Sequence, residues 1–192
     1  MHPGWTWEFV RSEPIRFASV VGGGGRRHRP GVARRLRELA VRPPTCRGRT
    51  SRWLLAHWDG PLVVKGIQTV ADAKIAADLG VEVVALSNHG GRQLDSAPAI
   101  VDLVAPVADA VGDRVEIICD GGIRRGSDIV KAVAAGATAA MAGRAYLYGL
   151  GAAGERGVDF VLDLFRNDMK RVMALLGAQS IADLGPELLD LH

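Results

Sequence analysis

The chain has 192 residues, of which 48% are hydrophobic and 23% are charged, so it is long enough for one globular domain with a sizeable core. Aromatic residues make up only 5% while glycine reaches 24 residues, a mixture that suits packed α/β layers better than a β-sandwich. The two cysteines, Cys46 and Cys119, form no CxxC pair, which excludes a zinc-ligand spacing and a disulfide framework, and no metal site is predicted.

The positive charge of the chain is concentrated near its start. Residues 24–52 hold ten arginines, no lysine and a single acid, Glu38. We predict that residues 21–57 are irregular, and we hypothesise a shifted reading frame in a GC-rich gene as the origin of their composition. A nucleic-acid-binding arm is the alternative interpretation, but no aromatic platform or recognition helix accompanies the arginines. We therefore predict no nucleic-acid partner.

Two further patterns bear on where the protein resides. No apolar run is long enough to span a bilayer, so no transmembrane segment is predicted. The first residues also lack a charged region followed by an apolar one, which a secretory signal would show. We expect a cytoplasmic protein, and peripheral association with a membrane stays open.

From Trp58 onward, the pattern predicts strands that alternate with helices. The predicted strands cover residues 61–66, 81–87, 114–122 and 138–144. The predicted helices cover residues 69–80, 96–112, 125–137 and 157–177, followed by a short one at 180–189. Thr69, Ser96 and Ser127 are the expected starts, and Pro106 is expected to bend or split its helix. This alternation predicts parallel strands whose carboxyl ends meet at one edge of the sheet.

The stretch "SNHGGRQLD" follows the second predicted strand. His89 is a side chain that exchanges protons near neutral pH, and Arg92 offers a planar fork that matches a carboxylate. The glycines between them allow a tight turn and a close approach of a small ligand. The competing interpretation is a surface turn with a solvated arginine, but the carboxyl end of a parallel strand favours a functional site.

Three more motifs follow the other strands. In "DGGIRRGSD", Arg124 and Arg125 precede a helix N-terminus, where free N–H groups would form an anion cradle, most simply for phosphate. Gly143 and Arg144 would add a second anion contact after the last strand. Lys65, at the end of an apolar strand, is either a catalyst with a shifted pKa or a counter-charge to an anion. The competing interpretations are an ordinary glycine-rich turn and a lysine that extends to solvent.

Together and in this order, these motifs resemble the C-terminal half of the FMN-dependent α-hydroxy acid dehydrogenase family. That family includes L-lactate dehydrogenases, lactate oxidases and glycolate oxidases. Residues 1–20, with "HPGWTWEFVRSEP", are similar to the connection between the fourth and fifth barrel strands. The resemblance implies an α/β fold, the C-terminal half of a (β/α)₈ TIM barrel, with residues 58–192 as its FMN-binding part.

The resemblance also implies roles for individual residues. Lys65 would lie near the flavin N1 and C2 carbonyl, and Ser87 would bond the flavin. His89 would be the base that removes the substrate proton, and Arg92 would bind the substrate carboxylate. The remaining residues would hold the ribityl chain and phosphate of FMN: Asp120, Gly121, Gly122, Ile123, Arg124, Gly143 and Arg144.

The function implied is the oxidation of an L-2-hydroxy acid, with L-lactate to pyruvate as the expected reaction and FMN as the acceptor of two electrons. Two alternatives are a catalytically dead half-barrel with weak or no flavin binding, and another barrel enzyme that binds FMN or a phosphate. The family's first four strands, with the aspartate that orients the histidine, have no counterpart here. We therefore expect an inactive or marginally stable truncated chain, a homo-oligomer, or pairing with another half-barrel.

Overall fold

The computed structural model describes residues 53–190, so the expectations for residues 1–20 and for most of 21–57 lie outside it. One parallel sheet has the order β1-β2-β3-β4. Its strands are β1 (Val63–Ile67), β2 (Val83–Ser87), β3 (Glu116–Asp120) and β4 (Ala139–Met141). The helices are α1 (Val70–Asp78), α2 (Val101–Val111), α3 (Gly126–Ala134) and α4 (Arg144–Leu176). The predicted alternation of parallel strands and helices is confirmed.

The starts of the first two helices differ in how well they were predicted. Thr69 caps α1 as expected, because its hydroxyl accepts the N–H of Asp72 at 3.0 Å. Ser96 does not start α2, which begins at Val101. Ser96 has a φ of 62°, in the left-handed region, and a right-handed helix cannot include it. Pro106 lies inside α2 without interrupting it, so the expected split is not observed.

The cap of α3 is Arg125, and the prediction of Ser127 was wrong. A carboxylate inside the helix replaces the expected serine, since Asp128 Oδ2 accepts the N–H groups of Arg124 and Arg125 at 2.8 and 2.9 Å. The N–H of Ser127 donates to Asp168 Oδ2 of α4 at 3.0 Å. A carboxylate 41 positions away in the sequence therefore accepts a backbone N–H group at the start of α3.

The last helix is longer than predicted, because α4 begins at Arg144 instead of residue 157. Ala153 and Gly154 leave helical geometry within it and divide it into two parts. A side chain on Gly157 would overlap the carbonyl of Gly149, so the two parts pack backbone to backbone. The final predicted helix is two 3₁₀ turns, Ile181–Asp183 and Pro186–Leu188.

The hydrophobic core lies between the sheet and the helices. Val84, Leu86, Ile117 and Cys119 are at most 1% exposed and pack against α1, α2 and α3. Side chains alternate across a strand, so their neighbours lie on the opposite face, where Val63 is 52% exposed. Within residues 53–190, no helix combines the length and the apolar character that crossing a membrane requires.

Candidate functional site

Three polar side chains meet at the carboxyl ends of β1, β2 and β3, and we call Lys65, Ser87 and Asp120 the strand-end cluster. The register of β2 and β3 places Ser87 opposite Asp120. The Ser87 hydroxyl donates to Asp120 Oδ2 at 2.7 Å and accepts from Lys65 Nζ at 2.7 Å. Lys65 Nζ also forms an ion pair with Asp120 Oδ2. Sequence reasoning found all three residues but not the direct contact between the lysine and the aspartate.

The electrostatics of this cluster favour an ionised carboxylate. Partial burial of Asp120 raises its pKa, but the hydrogen bonds from Lys65 and Ser87 and the charges of Lys65 and His89 outweigh that effect. The net result is a pKa below the ordinary range of an aspartate. The carboxylate is thus charged at neutral pH and fixes the Lys65 ammonium at the edge of the sheet.

His89 lies two positions after the end of β2, in the 3₁₀ turn His89–Gly91. Its φ is 56°, and its backbone N–H donates to Ser87 Oγ at 3.1 Å, which ties the turn to the strand-end cluster. Asn88 closes the turn, because its side chain accepts the N–H of Gly90 at 3.0 Å and donates to the Pro98 carbonyl at 3.1 Å. Sequence reasoning did not single out Asn88, although asparagine commonly caps its own turn in this way.

The predicted partner of His89 is less closely connected to the cluster. The backbone N–H of Arg92 donates to the His89 carbonyl at 3.3 Å, and the arginine side chain is exposed. Among the described residues, no hydrogen bond or ion pair holds its guanidinium. The structure therefore joins His89 electrostatically to Asp120, while Arg92 extends from the same turn into solvent.

A cavity of about 420 Å³, which we call the rim cavity, lies between the β2–α2 loop and α3. Four predicted cofactor residues line it, and these are Gly121, Gly122, Ile123 and Arg144. Gly122 has a φ of 79°, and a side chain there would meet nothing within 4 Å, so its backbone is open to a ligand. Lys131 of α3 also lines the cavity, and sequence reasoning missed it.

Arg124 lines a different cavity, of about 400 Å³, between α3 and α4. Arg125 and Arg171 line the same space, and Arg171 pairs with Asp168 at 2.5 Å. The bond from Arg171, followed by that from the Ser127 N–H, lowers the pKa of the Asp168 carboxyl. The structure thus separates Arg124 from Arg144, whereas the sequence motifs suggested one shared anion site.

A model of the family described as FMN-dependent dehydrogenase matches residues 1–191. The chain belongs to this family. It is 46% identical over 188 residues to the pre-mycofactocin synthase of Mycobacterium tuberculosis, an alignment that covers 96% of this chain and 46% of the relative. It is 39% identical over 191 residues to the L-lactate dehydrogenase of Caulobacter vibrioides, with 98% and 49% covered. The chain thus spans about half the length of the curated relatives it matches.

Solved structures agree with this assignment. A variant of flavocytochrome b2 with pyruvate bound is 38% identical, with a TM-score of 0.74 over 77% of this chain and 39% of the other. An (S)-mandelate dehydrogenase is 45% identical, with a TM-score of 0.71 over 74% of this chain and 40% of the other. The resemblance to the family and the half-barrel fold are confirmed, and the cofactor of the family is FMN.

The described residues fit an anionic, phosphate-bearing cofactor. The rim cavity offers the open backbone of Gly122 and two cations, Lys131 and Arg144. The strand-end cluster adds a fixed ammonium group at the same edge of the sheet. Among residues 53–190, no group of three or more metal-ligating side chains lies together.

Proposed function

We propose that this chain carries the FMN- and substrate-binding part of an enzyme that oxidises an L-2-hydroxy acid, with L-lactate to pyruvate as the reaction. The observation that carries the proposal is the strand-end cluster, to which the backbone N–H of His89 is hydrogen-bonded. These residues lie at the edge where barrel enzymes bind ligands, and the charge of Asp120 suits a histidine that accepts a proton. The family membership supports the same chemistry.

Each residue of the cluster has a part in this proposal. A bound FMN would supply the acceptor for the two electrons, which leave with the α-hydrogen as the alcohol becomes a ketone. His89 accepts the hydroxyl proton at a ring nitrogen, and the Asp120 carboxylate attracts the positive charge that results. Arg92 binds the substrate carboxylate through its planar fork. Ser87 and Asp120 hold the Lys65 ammonium in place, ready to offset negative charge on the cofactor.

The proposed contacts to FMN extend the site along β3 and β4. The stretch proposed to run along the ribityl chain begins at Asp120 and ends at Ile123. Gly121 and Gly122, between them, allow the cofactor to approach the backbone closely. Arg144 binds the phosphate, and Gly143 directly precedes it at the start of α4. Arg124 is retained as a predicted phosphate contact, although it lines the cavity between α3 and α4.

A second candidate differs in substrate. The pre-mycofactocin synthase of Mycobacterium tuberculosis is 46% identical to this chain, against 39% for the L-lactate dehydrogenase of Caulobacter vibrioides. The second proposal is therefore that the chain acts, with FMN as its cofactor, on the substrate of a pre-mycofactocin synthase.

Flavin spectroscopy tests the proposal. We expect the purified chain to bind FMN and L-lactate to bleach the flavin absorbance under anaerobic conditions, with (S)-mandelate and the substrate of pre-mycofactocin synthase as parallel arms. His89→Gln should retain FMN and slow the bleaching at least about a hundredfold, since general base catalysis contributes that much. His57→Gln is the matched control, because its ring bonds the Trp53 carbonyl at 2.7 Å, away from the cluster.

The outcomes separate the alternatives. A chain that binds FMN without bleaching by any of the three substrates would be the catalytically dead half-barrel, and a chain that binds no flavin would refute the proposal. The pairing of chains stays a prediction, which sedimentation of the same preparation checks. A monodisperse monomer that melts cooperatively would contradict it.

A further inference from the structure

The rim cavity holds a cation that the proposed contacts to FMN leave unused. Lys131 lies on the second turn of α3, and Arg144 begins α4, so two separate elements bring two positive charges to one cavity. Among residues 53–190, neither side chain has a hydrogen bond or ion pair. A partly enclosed space whose wall carries two cations without ion-pair partners favours an anionic ligand.

The other charge on the cavity wall is already engaged. Asp128 lines the same space, but its Oδ2 accepts the N–H groups of Arg124 and Arg125 at 2.8 and 2.9 Å. The carboxylate thus bonds backbone N–H groups at the start of α3, and no ion pair forms between Asp128 and Lys131 within the described chain. The charged side chains that line the cavity are therefore two cations and one carboxylate, and the carboxylate already accepts two backbone hydrogen bonds.

The N-terminus of α3 does not supply the donors that its sequence suggested. The N–H groups of Arg124 and Arg125 bond Asp128, and that of Ser127 bonds Asp168 at 3.0 Å. A phosphate at this end of the sheet thus finds these three backbone donors occupied. Side-chain cations must then carry more of the binding than they do at a helix whose N–H groups are free.

We propose that Lys131 is a second cation for the phosphate of the flavin and binds it together with Arg144. This inference rests on the proposed function, because the phosphate belongs to the FMN that the chain is proposed to bind. Lys131 is then a cofactor-binding residue and takes no part in moving protons or electrons. It would make the chain prefer FMN over riboflavin, which has the same ring system and ribityl chain but no phosphate.

Titration of flavin fluorescence with FMN and with riboflavin tests this inference. Lys131→Gln should weaken FMN binding roughly tenfold, since a hydrogen bond to a charged group is worth about that much, and leave riboflavin binding unchanged. Lys131→Arg should restore most of the affinity for FMN, because it keeps the charge. Raising the salt concentration should weaken FMN binding to the wild-type chain more than to Lys131→Gln.

Lys74→Gln is the matched control, because Lys74 is also an exposed lysine on a helix but lines neither cavity. Equal FMN affinity of Lys131→Gln and Lys74→Gln would overturn the inference and leave the proposed function standing. Equal losses of affinity for FMN and for riboflavin in Lys131→Gln would also overturn the inference, because the lysine would then support the fold and would not contact the phosphate. A wild-type chain that binds neither flavin would refute the proposed function and the inference together.

Discussion

The two faces of the sheet differ in what their side chains do. On the face covered by helices, Val84 and Leu86 are fully buried, and the neighbouring strand adds Ile117 and Cys119 at 1% and 0% exposure. On the opposite face, Val63 is 52% exposed. On β1, at the end of the order β1-β2-β3-β4, a side chain of this face is open to solvent, whereas Ala85 and Ser87 of β2 lie on the same face and are 1% exposed.

One face of the sheet contributes to stability, and the other carries the polar groups of the candidate site. The covered face is apolar, and its burial stabilises the fold. The open face carries Lys65, Ser87 and Asp120 at its carboxyl end, where the side chains of Lys65 and Asp120 are 42% and 19% exposed. Substitutions on the covered side should therefore lower the free energy of unfolding, and those on the open side should mainly change binding.

The most direct test makes the same substitution on both faces. Val84→Ala should lower the free energy of unfolding by about 2 kcal/mol, because it removes buried methyl groups and leaves a cavity. Val63→Ala, at a half-exposed position of the neighbouring strand, should change it by less than about 0.5 kcal/mol. Urea unfolding of both variants measures the difference, and equal losses would contradict the division between the faces.

A second test concerns the helix layer that covers the apolar face. Gly126→Ala should destabilise the fold by about 1 to 3 kcal/mol, because its methyl group would overlap the Met169 amide nitrogen and the Phe165 carbonyl oxygen of α4. Gly151→Ala is the control, since nothing lies within 4 Å of the added group. Thermal melting should show a loss only in the first variant, and an unchanged melting temperature would mean that α3 and α4 pack less closely.

A smaller effect is expected at the cap between these helices. Asp168→Ala removes the acceptor of the Ser127 N–H, leaves that donor at the start of α3 without its partner, and should lower the denaturant midpoint. Asp163→Ala breaks only an exposed ion pair with Arg166 and should cost less than about 0.5 kcal/mol. Denaturant titration of the two variants checks this order, and a reversed order would argue against the cap.

The smallest effect on stability is expected at the open face. The pKa of Asp120 is lowered in the folded chain, so its contribution is present above the pKa of an unfolded aspartate, near 3.9, and is lost as the pH falls through the folded value. Wild type should therefore be more stable than Asp120→Asn at pH 7, and the difference should shrink below about pH 4. Urea unfolding from pH 7 to pH 3 measures it, and a constant difference would argue against the ion pair with Lys65.

Cys119 offers a chemical probe of the covered face. Burial, followed by the charge of Asp120, raises the pKa of its thiol to about 11. In a Cys46→Ser background, the thiol should not react with a disulfide reagent at pH 8 until urea unfolds the chain, because the thiolate is the reactive form. Fast reaction without urea would show that the helix layer opens readily.

Local patterns predicted much of the fold. The alternation of apolar runs with helical spacing determined the parallel sheet, and Thr69 capped α1 because its acceptor lies three residues from the N–H that it bonds. The predicted helix starts at Ser96 and Ser127 were wrong, because residues outside the local pattern decide where these helices begin. The loop before α2 takes a left-handed conformation at Ser96, and α3 is capped by Asp128 and Asp168. No local rule contains the Asp168 contact, because the two helices meet only after folding.

The sequence by itself determined which chemical groups stand at the ends of the strands, since His89, Asp120 and Arg144 each lie at the end of an apolar strand or within three positions of it. The tertiary structure decided which of them meet. The strand register joined Lys65 to Asp120, and the packing of α3 brought Lys131 to the rim cavity beside Arg144. The physical reason is distance along the chain, because contacts between separate strands and helices depend on register and packing, which no single segment encodes.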